Sequence, residues 1–260
     1  MTARALASFR LDGLVSIITG GGSGIGRATA ELFAAAGSYV VVADRDEESA
    51  RACADAVAAA GGRARAVALD VADESAVERA FSGVFEREGR LDVLISNAGI
   101  NIRKPALDLP LADWNRVIAV NLTAVFHCAR TAARHMIAGG RGGAIVSTAS
   151  IMSLSGGGLY PNIGYQTAKG ALVNMTRGLA VEWAPTRIRV NAVAPTWVRT
   201  PFIAPLLAQP ELVAKIEQMT PLGRLAEPLE VAAAMLFLAS PAAAMITGHT
   251  LPVDGGFLAQ

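Results

Sequence analysis

Short apolar runs rich in β-branched residues alternate along this chain with segments in which apolar residues recur every three to four positions. Each short run is bounded by Gly, Asp, Asn or a charged residue, which is typical of strands buried on both faces of a parallel sheet. Seven strands are predicted in this way, at 14–19, 39–43, 65–69, 91–95, 143–148, 188–193 and 249–253. The periodic segments predict helices at 24–36, 46–60, 74–88, 111–138, 165–184 and 228–239. This alternation predicts an α/β fold, a single doubly wound, Rossmann-type domain over residues 1–260 with a seven-stranded parallel sheet and helices on both faces.

Two segments lack this periodicity, 96–110 and 194–226. The second contains five prolines, at 195, 201, 205, 210 and 221. Long segments without regular structure are uncommon in compact domains unless they serve a function. We therefore expect a substrate loop at about 194–226, of the kind that closes over a site.

The composition suits a domain with a deep core, because 52% of the 260 residues are hydrophobic and 17% are charged. A net charge of +1, with both signs mixed along the chain, offers no basic stripe for nucleic acid or a membrane surface. No apolar run reaches the roughly 18 residues that span a bilayer. Residues 1–13 lack the apolar region of a secretory signal, so the expected location is the cytoplasm. Cys53 and Cys128 are expected to be small core residues, and no residue cluster predicts a metal site.

A glycine-rich turn, TGGGSGIG at 19–26, joins the first predicted strand to the first helix. Gly20, Gly24 and Gly26 stand where a tight turn and the close approach of a phosphate exclude a side chain. Backbone amides at the start of the helix, around Ser23 and Ile25, would receive a pyrophosphate. The pattern predicts a dinucleotide site.

Asp44 ends the second strand, 20 positions after Gly24, where a carboxylate can bind the ribose hydroxyls of a dinucleotide. It would repel a 2′-phosphate, whereas the neighbouring Arg45 would attract one. The balance favours NAD, with NADP as the less favoured cofactor. The alternative is that Asp44 only caps the helix at 46–60.

Polar residues also end the third and fourth strands. Asp70 can accept a hydrogen bond from an adenine amino group or simply cap the helix at 74–88, and both alternatives stay open. Asn97 can stitch neighbouring backbone groups together, while Gly99 lets a cofactor approach closely. The adjoining residues predicted to line the same site are Val71 and Ala98.

The fifth strand runs into the sequence STAS, which places Ser150 at the carboxyl edge of the sheet, where ligands of open α/β sheets bind. Tyr165 and Lys169 follow near the start of the next helix, four positions apart and therefore on one face. An isolated Tyr–Lys pair of this kind is usually an ordinary exposed pair on a helix. Near Ser150 it predicts a catalytic site. Asn121 lies among apolar residues in the predicted helix 111–138. Because Asn competes for backbone groups, it suggests a local irregularity or a bound water, unless it faces the surface.

The chain resembles the short-chain dehydrogenase/reductase family through several motifs in one order. They are TGGGSGIG (19–26), Asp70, SNAG (96–99), Asn121, Ser150, Tyr165-x-x-x-Lys169, IRVNAVAP (188–195) and VDGG (253–256). The resemblance covers nearly the whole chain, from about residue 10 to Gly256. It implies an NAD(P)-dependent oxidoreductase acting on CH–OH groups, commonly a homotetramer or homodimer built on the two long helices, although a buried helix face explains their small residues equally well.

The resemblance also implies a role for each residue at the chemical end. Tyr165 would exchange a proton with the substrate oxygen, which Ser150 would hold in line. Lys169 would favour the phenolate, bringing the pKa of Tyr165 closer to working pH, and would bind the nicotinamide ribose. Asn121 would hold a water that links Lys169 to solvent. The residues that would contact the nicotinamide are Pro195, Val198 and Thr200.

Two features depart from the family pattern. Thr196 follows Pro195 where the family commonly has Gly, so a side chain there would narrow the pocket or touch the substrate. Ser150 precedes Tyr165 by 15 positions, somewhat more than is usual. Ser153 is therefore the runner-up for the serine role, and Ser155 is weaker still.

The substrate is predicted less sharply than the chemistry. The predicted substrate contacts are Ser150, Met152, Tyr160, Asn162, Thr196 and Trp197, with Asn101 and Arg103 as further candidates. Their mixture of aromatic, amide and hydroxyl groups suits a polyhydroxylated molecule, and the segment YPNIGY is similar to that of polyol and sugar dehydrogenases. Arg103 and Lys104 are interpreted as a solvated loop pair, with carboxylate or phosphate binding as the alternative.

Three hypotheses follow. The preferred one is an NAD-dependent dehydrogenase of a polyol, sugar or sugar acid. The second is an NADPH-dependent carbonyl or 3-oxoacyl-thioester reductase, which Arg45 would serve. The third, a non-catalytic nucleotide-binding sensor, predicts the loss of at least one of the four catalytic residues, and all four are present.

Overall fold

A computed structural model describes residues 6–260 of the chain. The sequence prediction about a secretory signal therefore concerns in part residues 1–5, which lie outside the described range. One sheet of seven parallel strands forms the centre, in the order β3-β2-β1-β4-β5-β6-β7. The strands are β1 Val15–Thr19, β2 Tyr39–Asp44, β3 Arg63–Ala68, β4 Val93–Ser96, β5 Gly143–Thr148, β6 Ile188–Pro195 and β7 Thr250–Val253. The predicted single Rossmann-type domain is confirmed.

Helices cover both faces of the sheet. They are α1 Gly24–Ala35, α2 Glu47–Ala59, α3 Glu74–Glu88, α4 Leu111–Ile118, α5 Ala124–Ala138, α6 Ile163–Trp183, α7 Ala204–Leu207, α8 Pro210–Met219 and α9 Pro228–Ala239. One core cluster packs α3, α5 and α6 against the sheet, and another packs α1, α2 and α9 against the opposite face. The two cysteines are buried core residues, as predicted.

The strand order reverses at β1, which pairs with β2 on one side and β4 on the other. The connections that leave the carboxyl ends of β1 and β4 run in opposite directions, so a crevice opens between these two strands. Buried apolar strands hold this edge in place, since all five residues of β1 and all four of β4 are buried. The fold therefore brings the ends of β1, β2, β4, β5 and β6 to one crevice.

Two predictions about secondary structure are wrong in detail. The predicted helix at 111–138 is interrupted by a π-helical turn at Ala119–Thr123. The predicted loop at 194–226 contains α7 and α8. The prolines of this segment are compatible with helices, because Pro210 is the first residue of α8, where a missing N–H and a fixed φ suit a helix start.

No helix within residues 6–260 is both long enough and apolar enough to cross a membrane. In the same part of the chain, no group of three or more His, Cys, Asp or Glu side chains is placed to hold a metal ion.

Candidate active site

A cavity of about 300 Å³ follows the carboxyl edge of the sheet, from the glycine-rich turn after β1 to the start of α6. Nearly all the residues predicted for the site line it. At the glycine-rich end these are Gly20, Ser23, Gly24, Ile25, Asp44, Arg45, Asp70, Val71, Asn97, Ala98 and Gly99. At the other end they are Ser150, Met152, Tyr160, Tyr165, Lys169, Pro195, Thr196, Trp197, Val198 and Thr200. Three of these predicted residues lie outside the lining, Gly26, Asn121 and Asn162, and of the two further candidates Asn101 lines the cavity whereas Arg103 does not.

The glycine-rich turn has the form that a dinucleotide requires. Gly20 and Gly24 adopt positive φ angles of +63° and +53°, where a side chain would be strained. Gly26 serves packing, because a Cβ there would lie 2.0 Å from the backbone oxygen of Gly20. Ser23 precedes α1 without a side-chain hydrogen bond to the helix, so the first amides of α1 keep their donors free for an anion. These residues fit the pyrophosphate of a dinucleotide.

Asp44 holds the same turn from the end of β2. Its Oδ2 accepts from the Gly22 amide at 2.9 Å and its Oδ1 from the Asp46 amide at 3.0 Å. Asp46, rather than Asp44, caps α2, through the Ser49 amide. The alternative that Asp44 is only a helix cap is therefore wrong. Arg45 is exposed, and no residue within 6–260 pairs with its guanidinium.

Asp70 and Asn97 occupy the ends of the next two strands. Asp70 accepts from the Ala72 amide at 2.9 Å, whereas Asp73 caps α3. The capping alternative for Asp70 is therefore wrong. Asn97 donates from Nδ2 to the Gly20 oxygen at 3.1 Å, and its Oδ1 accepts from the Thr148 hydroxyl at 3.2 Å. One amide thus ties the ends of β1, β4 and β5 together, as the sequence suggested.

Lys169 is buried at the chemical end of the cavity, with 3% of its surface exposed. Its Nζ donates to the Thr148 carbonyl oxygen at 2.6 Å and lies 5.6 Å from the centre of the Tyr165 ring. The interpretation as an ordinary surface pair is excluded. A carbonyl at the end of β5 and the first turns of α6 together fix the ammonium beside the phenol.

Burial favours the neutral form of both side chains, Tyr165 and Lys169. It raises the pKa of Tyr165 to about 12, against the opposing effect of the Ser150 hydroxyl, and lowers the pKa of Lys169 to about 8. The expected lowering of the Tyr165 pKa is thus not produced by the residues alone, because desolvation of the phenolate outweighs the opposing effects of Ser150 and Arg103. Without further positive charge, Tyr165 is a proton donor.

Ser150 and Ser153 differ in position, since only Ser150 lines the cavity. Ser150 lines the cavity, and its Oγ accepts from the Met152 amide at 3.1 Å. Ser153 is bonded to the backbone of Ser150, accepting from its amide at 3.0 Å and donating to its carbonyl oxygen. Ser155 donates to the Ile151 carbonyl oxygen. The alternative that Ser153 takes the serine role is therefore wrong, and Ser153 instead fixes the backbone that carries Ser150.

Asn121 lies in the π-helical turn and is fully buried. Its Nδ2 donates to the Ile100 and Val117 oxygens at 2.8 and 3.0 Å, and its Oδ1 accepts from the Ile100 amide at 3.1 Å. The predicted irregularity is confirmed and the surface alternative is wrong. The side chain braces the segment after β4, while binding of a water by Asn121 stays a prediction.

Near Tyr165, two other polar side chains of the cavity are hydrogen-bonded to each other, whereas Thr196 and Asn101 have buried polar atoms without partners. Trp197 donates from Nε1 to the Tyr160 hydroxyl at 3.2 Å. Thr196 Oγ1 and Asn101 Oδ1 are buried without a hydrogen-bond partner among residues 6–260, and both residues line the cavity. Asn162 is equally buried and unpartnered but precedes α6 away from the lining, so the structure does not place it at the substrate.

Apolar residues that the sequence did not single out complete the cavity. They are Leu69, Ile100, Val120, Ile151, Pro201, Phe202 and Ile203. The Phe202 ring lies 6.3 Å from the Tyr165 ring. Phe202 could have been predicted as a cavity residue because it is an aromatic residue inside the predicted substrate loop. Ile151 directly follows Ser150 and could have been inferred from that neighbour.

Comparison with known proteins identifies the family. A family model described as enoyl-(acyl carrier protein) reductase matches residues 20–258. A meso-2,3-butanediol dehydrogenase from Serratia marcescens is 41% identical, over 96% of this chain and 97% of its own length. A cis-4-hydroxycyclohexanecarboxylate dehydrogenase from Sinomonas cyclohexanicum is 45% identical, over 94% and 96%. The crystal structure of a gluconate 5-dehydrogenase from Burkholderia cenocepacia J2315 with NADP and tartrate superposes with a TM-score of 0.94 at 36% identity, over 98% and 99%.

The fold and the cavity define a nicotinamide-dependent oxidoreductase that acts on CH–OH groups. The chain belongs to the short-chain dehydrogenase/reductase family, and among its relatives it is similar to dehydrogenases of diols, sugars and hydroxy acids.

Replacing Lys169 by Met should stabilise the folded protein at neutral pH. Lowering the pKa of Lys169 from 10.5 to about 8 corresponds to a cost of about 3 kcal/mol for the charged form. Loss of the hydrogen bond to Thr148 offsets part of this, so we expect a gain of about 1–2 kcal/mol in urea unfolding at pH 7.

The pH dependence provides the check. The unfolded state binds more protons at this site between about pH 8 and 10.5, so wild-type stability gains on the variant as pH rises through that window. The exposed Lys215→Met is the matched control and should change little. A Lys169→Met gain that is the same at pH 7 and above pH 10 would show that the ammonium is not destabilised by burial.

Proposed function

We propose that the protein is an NAD-dependent dehydrogenase that transfers hydride between nicotinamide and the secondary alcohol of a polyol, sugar or sugar acid. The observation that carries this proposal is the burial of Tyr165 and Lys169 beside Ser150, at one end of a cavity whose other end is the glycine turn held by Asp44. Butanediol, a hydroxycyclohexanecarboxylate and gluconate, named in the descriptions of three relatives, are all secondary alcohols with a second polar group.

Ser150, Tyr165 and Lys169 have separate roles in the proposed reaction. Ser150 accepts from the Met152 amide, which leaves its own proton to donate to the substrate oxygen. Tyr165 takes the proton of the substrate hydroxyl in oxidation and returns it in reduction. Lys169, charged below about pH 8, stabilises the phenolate. An oxidised nicotinamide, when bound, would supply the hydride acceptor and a further positive charge.

Asp44 supports the preference for NAD. Its carboxylate lines the cavity at the end of β2, where the adenosine ribose would lie, and it is fixed there by two backbone amides. A carboxylate so fixed accepts hydrogen bonds from ribose hydroxyls and repels a 2′-phosphate. The cofactor-binding roles of the glycine turn, Asp70, Asn97, Val198 and Thr200 belong to the same proposal.

One observation favours a second candidate, an NADPH-dependent carbonyl or 3-oxoacyl-thioester reductase. Arg45 lines the cavity next to Asp44, and no residue within 6–260 neutralises its guanidinium. A free guanidinium in that position can bind a 2′-phosphate. The gluconate dehydrogenase relative carries NADP in its structure, and the matching family model is described by an acyl-carrier substrate.

Tyr165→Phe should lower turnover severely while leaving cofactor binding nearly intact, because only the proton-transferring hydroxyl is removed. Acid–base catalysis by a positioned side chain supplies about 100- to 10,000-fold, so a loss in that range is expected. The assay follows reduced-nicotinamide absorbance with NAD and with NADP, over polyols, aldoses, sugar acids and simple secondary alcohols.

Each outcome decides between the two candidates. Turnover of polyhydroxylated or acidic alcohols with NAD supports the dehydrogenase, and activity confined to NADP or to acyl-thioester reduction replaces it with the reductase. Tyr39→Phe is the control, since that tyrosine lies at the start of β2, outside the cavity. Substantial residual activity in Tyr165→Phe would mean that another group is the acid–base.

Assembly into a homotetramer or homodimer is part of the same proposal. Phe126 on α5 and Val181 on α6 are exposed hydrophobic side chains, 40% and 78% accessible, on the two helices that would pair. Light scattering should give a multiple of 26.8 kDa, and the mass of one chain would contradict it. Location in the cytoplasm stays a prediction.

A further inference from the structure

Tyr160 is a second phenol at the substrate end of the cavity, and it is not one of the residues to which the proposed reaction gives a role. Its side chain is partly buried and lines the cavity together with that of Tyr165. Burial is the largest of the effects that raise the pKa of Tyr165, and electrostatic interaction with Tyr160 is another. The two phenols therefore face the same end of the cavity.

The face of the Tyr160 ring is covered by Arg103. The Cζ of Arg103 lies 4.6 Å from the centre of the ring, which is a cation–π contact. The adjacent Lys104 differs, because its ammonium pairs with Asp113 at 2.7 Å. The interpretation of Arg103 and Lys104 as one solvated loop pair is therefore wrong, and the contact with Arg103 helps to hold the Tyr160 ring in place.

The hydroxyl of Tyr160 is held by Trp197. Trp197 donates from Nε1 to the Tyr160 hydroxyl oxygen at 3.2 Å. Trp197 is 4% exposed, and the Phe257 ring packs edge-on against it with ring centres 5.5 Å apart. A buried indole that is packed in this way keeps its N–H in one direction, so the position of the Tyr160 oxygen is fixed as well.

The hydrogen bond from Trp197 also determines what the Tyr160 hydroxyl can do. An indole N–H only donates, so the phenolic oxygen is the acceptor and its own proton is left to donate. No residue within 6–260 accepts a hydrogen bond from the Tyr160 hydroxyl. The carboxylates that line the cavity are Asp44 and Asp70, both at the dinucleotide end. Tyr160 therefore presents an unused O–H donor at the substrate end.

The reacting oxygen of the substrate does not provide an acceptor for this donor. A carbonyl oxygen has two lone pairs, and in the proposed reaction Ser150 and Tyr165 donate to both of them. The proton of Tyr160 therefore requires another acceptor, which a substrate with a second oxygen provides. Since a desolvated donor without a partner costs free energy, a substrate that lacks this oxygen is disfavoured.

We propose that Tyr160 is a specificity-determining residue that donates a hydrogen bond to a second oxygen of the substrate, so that diols and polyols are preferred over alcohols with a single oxygen. Trp197 is the positioning residue that fixes the direction of this hydrogen bond. The inference rests on the proposed function and deepens it, because it assigns the recognition of the second oxygen to one side chain.

The test uses substrates that differ by one hydroxyl group. The pairs are meso-2,3-butanediol with 2-butanol, and the cis isomers of cyclohexane-1,2-diol, cyclohexane-1,3-diol and cyclohexane-1,4-diol with cyclohexanol. The measured quantity is the ratio of kcat/KM for the diol to that for its partner, taken for the diol with the highest value. We expect a ratio above about 5 in the wild type and a fall of about 3- to 10-fold in Tyr160→Phe, the loss that one neutral hydrogen bond supplies.

Two further variants separate recognition from packing. Trp197→Phe keeps an aromatic ring against Phe257 but removes the N–H, so the ratio should fall by less than in Tyr160→Phe. Tyr39→Phe is the matched control, because Tyr39 lies outside the cavity, and it should leave the ratio unchanged. If Tyr160 only packs against Arg103, or donates to the reacting oxygen, Tyr160→Phe leaves the ratio constant and the inference is overturned.

Failure of the proposed function is distinguishable from failure of this inference. If the wild type turns over no member of any pair, calorimetric titration of the cyclohexanediols and cyclohexanol into the enzyme saturated with NADH still measures recognition. Tighter binding of a diol than of cyclohexanol that is lost in Tyr160→Phe supports the role of Tyr160 alone. Equal binding of the diols and cyclohexanol, or a preference for a diol that Tyr160→Phe retains, overturns it.

Discussion

The proposed chemistry of this protein depends on one ammonium group, that of Lys169, which is buried away from water. Lys169 is fixed under the end of β5 by the Thr148 carbonyl oxygen, and the same burial that costs stability places its charge against the Tyr165 ring. Water would screen that charge and compete for the phenol, so the proposed role of Lys169 requires the burial that the sheet edge and α6 provide. The buried lysine is thus a local loss of stability that the surrounding core has to offset.

Desolvation acts on both Tyr165 and Lys169 and determines which protonation state each of them favours. It raises the pKa of Tyr165 and lowers that of Lys169, so the chain alone holds a neutral phenol, and in the proposed mechanism alcohol oxidation would need further positive charge at this place. Ser150 and Asn97 extend the arrangement along the sheet edge. Ser153 and Asn121, both hidden from the cavity, brace the backbone around it. A mutation in these braces would displace the chemistry without touching a substrate.

Much of this arrangement follows from the sequence, because the carboxyl ends of parallel strands meet at one edge. That rule alone brings Asp44, Asn97 and Ser150 together, and helical spacing adds Tyr165 and Lys169. What the sequence left open was the choice among near neighbours. Asp46 and Asp73 cap helices where Asp44 and Asp70 were alternatives, since carboxylates two or three residues apart look alike in a sequence.

Other features depended on contacts between distant segments. Asn121 among apolar residues indicated an irregularity at Ala119–Thr123, but its buried hydrogen bond to Ile100, 21 residues away, is visible only in the fold. Arg103 and Lys104 look equivalent in sequence, and only Asp113 separates them, by neutralising one of the two. Asn162 was predicted as a substrate contact for its amide group, but it lies just before α6 and outside the lining of the cavity.

The pH dependence of kcat/KM, measured in both directions with one alcohol and its ketone, tests most directly whether Tyr165 is the acid–base. Oxidation should rise about tenfold per pH unit below the pKa of the phenol in the free enzyme, whereas ketone reduction should be nearly flat between about pH 6 and 8. Oxidation that is independent of pH over this range, or reduction that falls steeply within it, would contradict the assignment of a buried tyrosine stabilised by Lys169.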